Sequence, residues 1–282
     1  VQTCALPICV LPDWRLDDLM ISFSVPGGGV GPHIDQYDVF IIQGMGSRRW
    51  RVGDKLPMRQ FCPHPALLHV DPFPPIIDED LQPGDILYIP PGFPHDGITH
   101  ETALNYSVGF RGPNGRDLIS SFADYALEND LGGEHYSDPD LTCREHPGRV
   151  EEYELERLRG MMIEMISQPE DFRRWFGRFA TTPRHELDIA PAEPPFEEEE
   201  IVDALAGGEM LTRLSGLRVL HIGDSFFVNS EQLEPTDPAA LDALCRYTLL
   251  GKEELGEAAL RNPAFIADLT RLINQGYWFF DE

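Results

Sequence analysis

The residues of this sequence best suited to chemistry are His33 and Asp35 in the run Gly31-Pro-His-Ile-Asp35. Along an extended strand, side chains two positions apart leave the same face, so an imidazole and a carboxylate at this spacing converge on one point. A second imidazole, His95, closes the run Tyr88-Ile-Pro-Pro-Gly-Phe-Pro-His95, where a strand ends in a Pro/Gly turn able to hold the ring rigidly at the mouth of a barrel. Two histidines and one carboxylate on one face of an octahedral ion leave three positions open. A non-haem iron that must take both a chelating co-substrate and O₂ needs that arrangement. His-x-Asp by itself is a weak motif; the order of the surrounding parts makes it specific. Gly27, Gly28, Gly29 and Gly31 lead into it, and Leu81-Gln-Pro-Gly-Asp85 introduces the strand that runs on to His95.

A chelating keto acid with a second carboxylate also needs a cation, and Gly46-Ser-Arg-Arg-Trp-Arg51 supplies three. Alternation gives Arg48 and Trp50 one face, Arg49 and Arg51 the other. A guanidinium fork binds a carboxylate bidentately, and Arg48 is the residue assigned that role. Asn105 and Ser107 share a strand face after His95 and are candidates for hydrogen bonds to the same co-substrate. Asp38 and Asp96 are candidates for holding a basic substrate. His64, His69, His100, His135, His146, His185 and His221 lack a partner at ligand spacing and read as surface or structural.

The elements that must position these groups follow from pattern. Short β-rich runs punctuated by Gly and Pro (19–25, 39–43, 48–52, 85–89 and 103–110) predict a small antiparallel barrel or jelly roll. Helical periodicity follows in 117–129, 151–166 and 169–179. Ala190-Pro-Ala-Glu-Pro-Pro-Phe-Glu-Glu-Glu-Glu200 reads as an extended linker whose glutamates enter a helix N-terminus. Beyond it, helices expected over 201–206, 241–250 and 263–274 alternate with β-rich segments at 210–215, 217–222 and 226–229, a mixture that fits a winged-helix-like domain. Gly276-Tyr-Trp-Phe-Phe280 reads as core.

Composition narrows the function. The chain has 282 residues, which favours two or three structural units over one. Its 48 acidic against 22 basic residues give a formal charge of -26, which repels nucleic acid and attracts basic partners. The five cysteines (Cys4, Cys9, Cys62, Cys143 and Cys245) have no paired spacing, pointing to a reducing cytoplasm. No apolar run is long enough to span a bilayer, and Val1–Val10 lacks the form of a secretory signal.

Three stretches carry a family resemblance: Leu11-Pro-Asp-Trp through the His33-Ile-Asp35 motif to Phe40, then Pro83-Gly-Asp-Ile-Leu-Tyr-Ile-Pro-Pro-Gly-Phe-Pro-His95, then Asn105-Tyr-Ser-Val-Gly-Phe110. They closely resemble bacterial ribosomal oxygenases of the JmjC type, and the likeness continues through Tyr136-Ser-Asp-Pro139, Arg184-His-Glu-Leu-Asp-Ile-Ala-Pro191 and the Gly276–Phe280 run. The resemblance implies a double-stranded β-helix catalytic domain (11–112), a helical dimerisation region (113–189) and a winged-helix domain (190–282). It implies Fe(II) held by His33, Asp35 and His95, with 2-oxoglutarate anchored on Arg48 and O₂ as co-substrate. The implied reaction is β-hydroxylation (C3) of an arginine in large-subunit ribosomal protein sixteen, by a homodimer that does not read nucleic acid. The family carries a sizeable segment ahead of Leu11-Pro-Asp-Trp14, whereas Val1–Val10 is unrelated in character, so the expectation is of an N-terminally shortened chain. Two alternatives share these residues: a JmjC hydroxylase or demethylase acting on another protein residue, and a non-catalytic cupin-like metal-binding scaffold.

Overall fold

The computed structural model describes residues 11–64, 67–233 and 238–280; Val1–Val10 and the side chains of Cys62 and His64 lie outside what it describes. Two compact units divide between Pro113 and Asn114.

The first unit contains β1 (Leu16–Ser24), β2 (His33–Ile34), β3 (Asp38–Met45), β4 (Arg48–Gly53), β5 (Gln60–His64), β6 (Leu67–Val70), β7 (Pro75–Leu81), β8 (Ile86–Ile89), β9 (Pro94–Thr99) and β10 (Ala103–Phe110). They form a four-stranded sheet ordered β1-β10-β3-β8 and a six-stranded sheet ordered β5-β6-β2-β9-β4-β7, antiparallel at each pairing. This is the double-stranded β-helix expected. Val39, Ile41, Leu87 and Ile89 of the first sheet pack with Trp50 and Val52 of the second, which is the sandwich that alternation produces when each sheet buries one face. Alternation also holds at β4, where Arg48 and Trp50 are buried and Arg49 is exposed.

Pattern reading passed over β5, β6, β7 and β9. The reason is visible in their composition. β7 reads Pro-Ile-Ile-Asp-Glu-Asp-Leu, mostly exposed, and β9 reads Pro-His-Asp-Gly-Ile-Thr, buried almost throughout. Neither alternates as a half-buried strand does.

In the second unit, α1 (Gly115–Glu128), α2 (Glu152–Ile166) and α3 (Pro169–Thr181) precede α4 (Glu198–Gly207), β11 (Leu211–Arg213), β12 (Val219–Ile222), β13 (Ser225–Val228), β14 (Glu231–Leu233), α5 (Pro238–Arg246), β15 (Leu249–Leu250), α6 (Lys252–Leu255), α7 (Glu257–Leu260), α8 (Pro263–Asn274) and β16 (Trp278–Phe280). The helix expected over 241–250 ends instead at Arg246, and Leu249–Leu250 leave it to pair with β11. Ala190–Glu200 is no free linker. Ala192 N–H donates to the Asn274 carbonyl (3.2 Å), and Phe196 and the Asn274 carboxamide exchange bonds of 2.8 and 3.0 Å. Its glutamates do cap a helix, because Glu197 N–H donates to the Glu200 carboxylate at the start of α4. Trp278 is fully buried within the large cluster around Phe265, Leu269 and Leu244, so the terminal aromatic run is core, as expected.

α3 is shared between two packing groups. Trp175 packs with Phe122 and Tyr125 of α1, while a Cβ added at Gly177 would sit 2.5 Å from the ring of Phe227 on β13. Since Phe227 is fully buried, the ring cannot retreat without opening the sheet. Gly177→Ala is therefore expected to destabilise the second unit by about 1–3 kcal/mol, read as a lower urea midpoint by circular dichroism. An unchanged midpoint would mean that α3 does not seat on β13.

Candidate metal centre

The site is assembled by strand register. His33 on β2 lies directly opposite His95 on β9, and His95 lies opposite Val52 on β4. The two imidazole centroids come within 4.1 Å. Asp35 follows β2, and its carboxylate lies 3.4 Å from His95 Nε2. One ligand atom from each of His33, Asp35 and His95 falls within 4.8 Å of the other two. His33 is 7% exposed and His95 2%.

Backbone contacts choose the tautomers. His33 Nδ1 is 2.8 Å from the Gly31 carbonyl and His95 Nδ1 is 3.1 Å from the Phe93 carbonyl. A carbonyl only accepts, so both rings donate from Nδ1, which leaves Nε2 as the atom each can turn to an ion. Burial, followed by the closeness of His95, holds His33 below its ordinary pKa and so in the neutral form a metal requires. Burial pushes the Asp35 carboxyl up, but hydrogen bonding and attraction from His95, with help from His33 and Tyr37, leave it below its ordinary value. The donor set suits a divalent first-row ion with open positions.

The glycines ahead of the motif have a steric purpose. Gly27 N–H donates to the Thr99 carbonyl and Thr99 N–H to the Gly28 carbonyl, stitching the loop to β9. A Cβ at Gly29 would lie 2.5 Å from the Gly97 carbonyl oxygen. A Cβ at Gly97 would in turn meet the Arg48 guanidinium at 2.8–3.0 Å. Loop, strand and arginine thus stack through two missing side chains.

Arg48 is 5% exposed. Its Nη1 donates to Asn105 Oδ1 at 2.6 Å, its Nη2 donates to the Gly97 carbonyl at 3.0 Å, and Cζ stands 4.7 Å from the Trp50 ring centroid. Its Nε and the Trp50 indole nitrogen are buried without a hydrogen-bond partner among the described residues. Burial lowers the Arg48 pKa, with Asp96 pulling the other way. Asn105 is 1% exposed; Ser107, two residues on, is half-buried between Met20 and Ile41 in the register.

Sequence reasoning set His69 aside and passed over Tyr37, Asp17 and Asp18. His69 faces His33 across β6 and β2, with its Nε2 2.8 Å from the Val30 carbonyl, and so bounds the site. Tyr37 is pushed up to about 12 by burial, then by Asp35, Asp18 and Asp17. Its phenol stays protonated and shares a hydrogen bond with Asp35. The signal available was the Asp17-Asp18 pair entering a strand, two acids where a strand rarely holds any. Of the acids that sequence did name, Asp38 is engaged by Arg15 (2.5 Å) and the Tyr88 hydroxyl (2.6 Å), and Asp96 is buried.

Fold and site together define a double-stranded β-helix with a centre of two buried histidines and one half-buried carboxylate. Residues 4–118 match the JmjC domain family, and residues 164–279 match the ROXA-like winged helix family. The chain is 62% identical over 275 residues to the ribosomal protein uL16 3-hydroxylase of Escherichia coli, covering 98% of this chain and 74% of that protein. It is 32% identical over 280 residues to a probable ribosomal oxygenase of Haemophilus influenzae, covering 92% of this chain and 65% of that one. The solved structure of YcfD, a ribosomal oxygenase from Escherichia coli, in complex with cobalt and 2-oxoglutarate superposes with a TM-score of 0.89 at 60% identity, over 98% of this chain and 73% of that one. The chain belongs to the bacterial JmjC-type ribosomal oxygenases.

The Gly29–Gly97 contact makes a prediction about the metal. In Gly29→Ala the loop must leave β9, so Mn(II) affinity measured by calorimetry should fall about 10–100-fold although all three ligands remain. His33→Ala, as the reference, should abolish binding; a Gly29→Ala protein with wild-type affinity would show that the loop does not set ligand position.

Proposed function

We propose that this chain is an Fe(II)- and 2-oxoglutarate-dependent protein hydroxylase that β-hydroxylates (C3) an arginine of large-subunit ribosomal protein sixteen. The observation that carries the reading is the cluster of buried His33 and His95 with half-buried Asp35, in one barrel with a buried Arg48 whose hydrogen-bond acceptors are neutral, in a chain 62% identical to a uL16 3-hydroxylase. Fe(II) held by the three ligands would, with 2-oxoglutarate and O₂, supply the oxidative decarboxylation to succinate and CO₂ that puts one oxygen atom into an unactivated C–H bond.

The chain's own residues do the rest. Arg48 offers its guanidinium to the distal carboxylate of 2-oxoglutarate, with Asn105 and Ser107 on β10 of the other sheet. Protonated Tyr37 orients the Asp35 carboxylate. Asp17 and Asp18, close enough to Tyr37 to shift it, supply negative charge where a substrate guanidinium would approach. The formal charge of -26 steers a basic ribosomal protein toward the enzyme and disfavours nucleic acid.

In domain terms we assign catalysis to 11–112, dimerisation to the helical region 113–189 and a winged-helix-like domain to 190–282. Support for a homodimer comes from α2. None of its residues is buried, and Leu158, Met162, Ile163 and Ile166 are 46, 62, 53 and 41% exposed. An apolar helix face of this kind calls for a partner surface. No helix among the described residues is long and apolar enough to cross a membrane; with a ribosomal substrate, the reading places the enzyme in the cytoplasm.

The test is mass spectrometry of a peptide from ribosomal protein sixteen incubated with the chain, Fe(II), 2-oxoglutarate and air. A gain of about 16 Da on arginine is expected, lost without O₂, without 2-oxoglutarate or in His33→Ala. Arg48→Ala should raise the KM for 2-oxoglutarate at least about tenfold, an effect that a metal-binding scaffold has no means of showing. Modification of lysine or histidine instead of arginine would replace the substrate assignment. Separately, Met162→Glu should convert a dimer into a monomer in light scattering, with a dimer dissociation constant raised about tenfold or more; a wild-type monomer would remove the dimer from the reading.

A further inference from the structure

Arg48 presents an electrostatic problem that the fold itself poses. A guanidinium this buried costs several kcal/mol in desolvation unless an opposite charge lies against it. The groups it is hydrogen-bonded to or stacked on are neutral, a carboxamide oxygen, a peptide carbonyl and an indole face, and the acid that acts on it is Asp96, buried on β9 beside Gly97. The carboxamide belongs to the other sheet. Arg48 is on β4 of the six-stranded sheet, and Asn105 is on β10, held between β1 and β3 in the four-stranded one. Across from Asn105 lie Ser22 and Gln43. A strand paired on both sides fixes the backbone of residue 105, and its side chain, 1% exposed, is enclosed by the surrounding packing. The 2.6 Å bond is short, as charge-assisted bonds are.

We infer that Asn105 is a positioning residue acting through Arg48: its neutral carboxamide bridges the two sheets to fix the guanidinium while leaving its charge for the incoming dicarboxylate. This rests on the oxygenase reading and alters one part of it, since the sequence expectation was direct contact between Asn105 and co-substrate. Aspartate would have the same shape and the same acceptor, and it would grip an arginine more tightly. It would also neutralise the cation, leaving the dicarboxylate to compete with a buried carboxylate for the same group. If Asn105 served only packing or a hydrogen bond, aspartate would serve as well; if it keeps Arg48 placed without adding a carboxylate in direct contact to the influence of Asp96, aspartate is the more damaging substitution.

The experiment uses the full chain loaded with Mn(II), a metal that supports binding without turnover, and titrates 2-oxoglutarate by calorimetry in wild type, N105D and N105S. N105D should weaken 2-oxoglutarate about 30-fold or more and N105S about 3–10-fold, with Mn(II) affinity within about twofold of wild type in both. With Fe(II) and substrate, KM for 2-oxoglutarate should rise in step while kcat recovers at saturation. N105D binding 2-oxoglutarate within about twofold of wild type overturns the inference and leaves the oxygenase reading standing. Wild type that takes Mn(II) and fails to bind 2-oxoglutarate overturns both. Should N105D fail to fold by circular dichroism, N105S decides, and wild-type affinity there overturns the inference.

Discussion

The position of β9 between β2 and β4 is the constraint from which the rest of the site follows. An antiparallel pair fixes which residues face each other, and here it sets His95 against His33 on one side and against Val52 on the other. Because side chains repeat every two residues, fixing His95 also fixes Gly97. That glycine is what lets Arg48 fold over the strand. The proposed metal ligands and the proposed anion anchor are therefore set by one register, and a slip of one residue would turn both away together. β2 is only two residues long, so its place depends on partners. β6 supplies one, through the His33–His69 pair, and the glycine loop bonded to Thr99 supplies another.

Charge is distributed to suit that geometry. The barrel interior holds two imidazoles whose Nδ1 atoms face carbonyl acceptors, one carboxylate, and a guanidinium whose hydrogen-bonded neighbours are neutral. Over the chain as a whole, acids outnumber bases by more than two to one. An anion entering such a site gains from one buried cation in low dielectric, where an interaction is worth far more than on the surface. Under the proposed function, a cationic substrate gains instead from Asp17, Asp18 and the wider acidic field. Co-substrate and protein substrate thus answer to opposite signs of charge within one barrel, which separates two binding tasks without separate pockets.

Much of this was legible in the sequence, for identifiable reasons. His33, Asp35 and His95 stood out because metal chemistry demands few residue types at few spacings, and turn glycines and prolines bracketed them. The faces of β4 followed from period-two alternation alone. Other features were illegible for equally physical reasons. β9 is buried on both faces and begins with proline, so it has no alternation to detect. The linker assigned to 190–200 was read from proline content, but proline specifies extended backbone and says nothing of what that backbone lies against; the Asn274 carboxamide pins it. Tyr37, Asp17 and Asp18 meet only after folding, from segments separated by the glycine loop.

Glycine shows where the two kinds of information part. In the sequence, Gly27 to Gly29 signal a turn, and Gly27 does have the positive φ of +79° that a turn requires. Gly29 and Gly97 have no such backbone need. Each is glycine because another group occupies the space of its Cβ, and in both cases that group belongs to the candidate site: a carbonyl of the strand that carries His95, then the guanidinium of Arg48. Close approach between backbones is a tertiary fact, invisible to local pattern, yet it decides distances to a few tenths of an ångström. The same logic applies to Asn105, whose identity matters less for the bond it makes than for the charge it lacks.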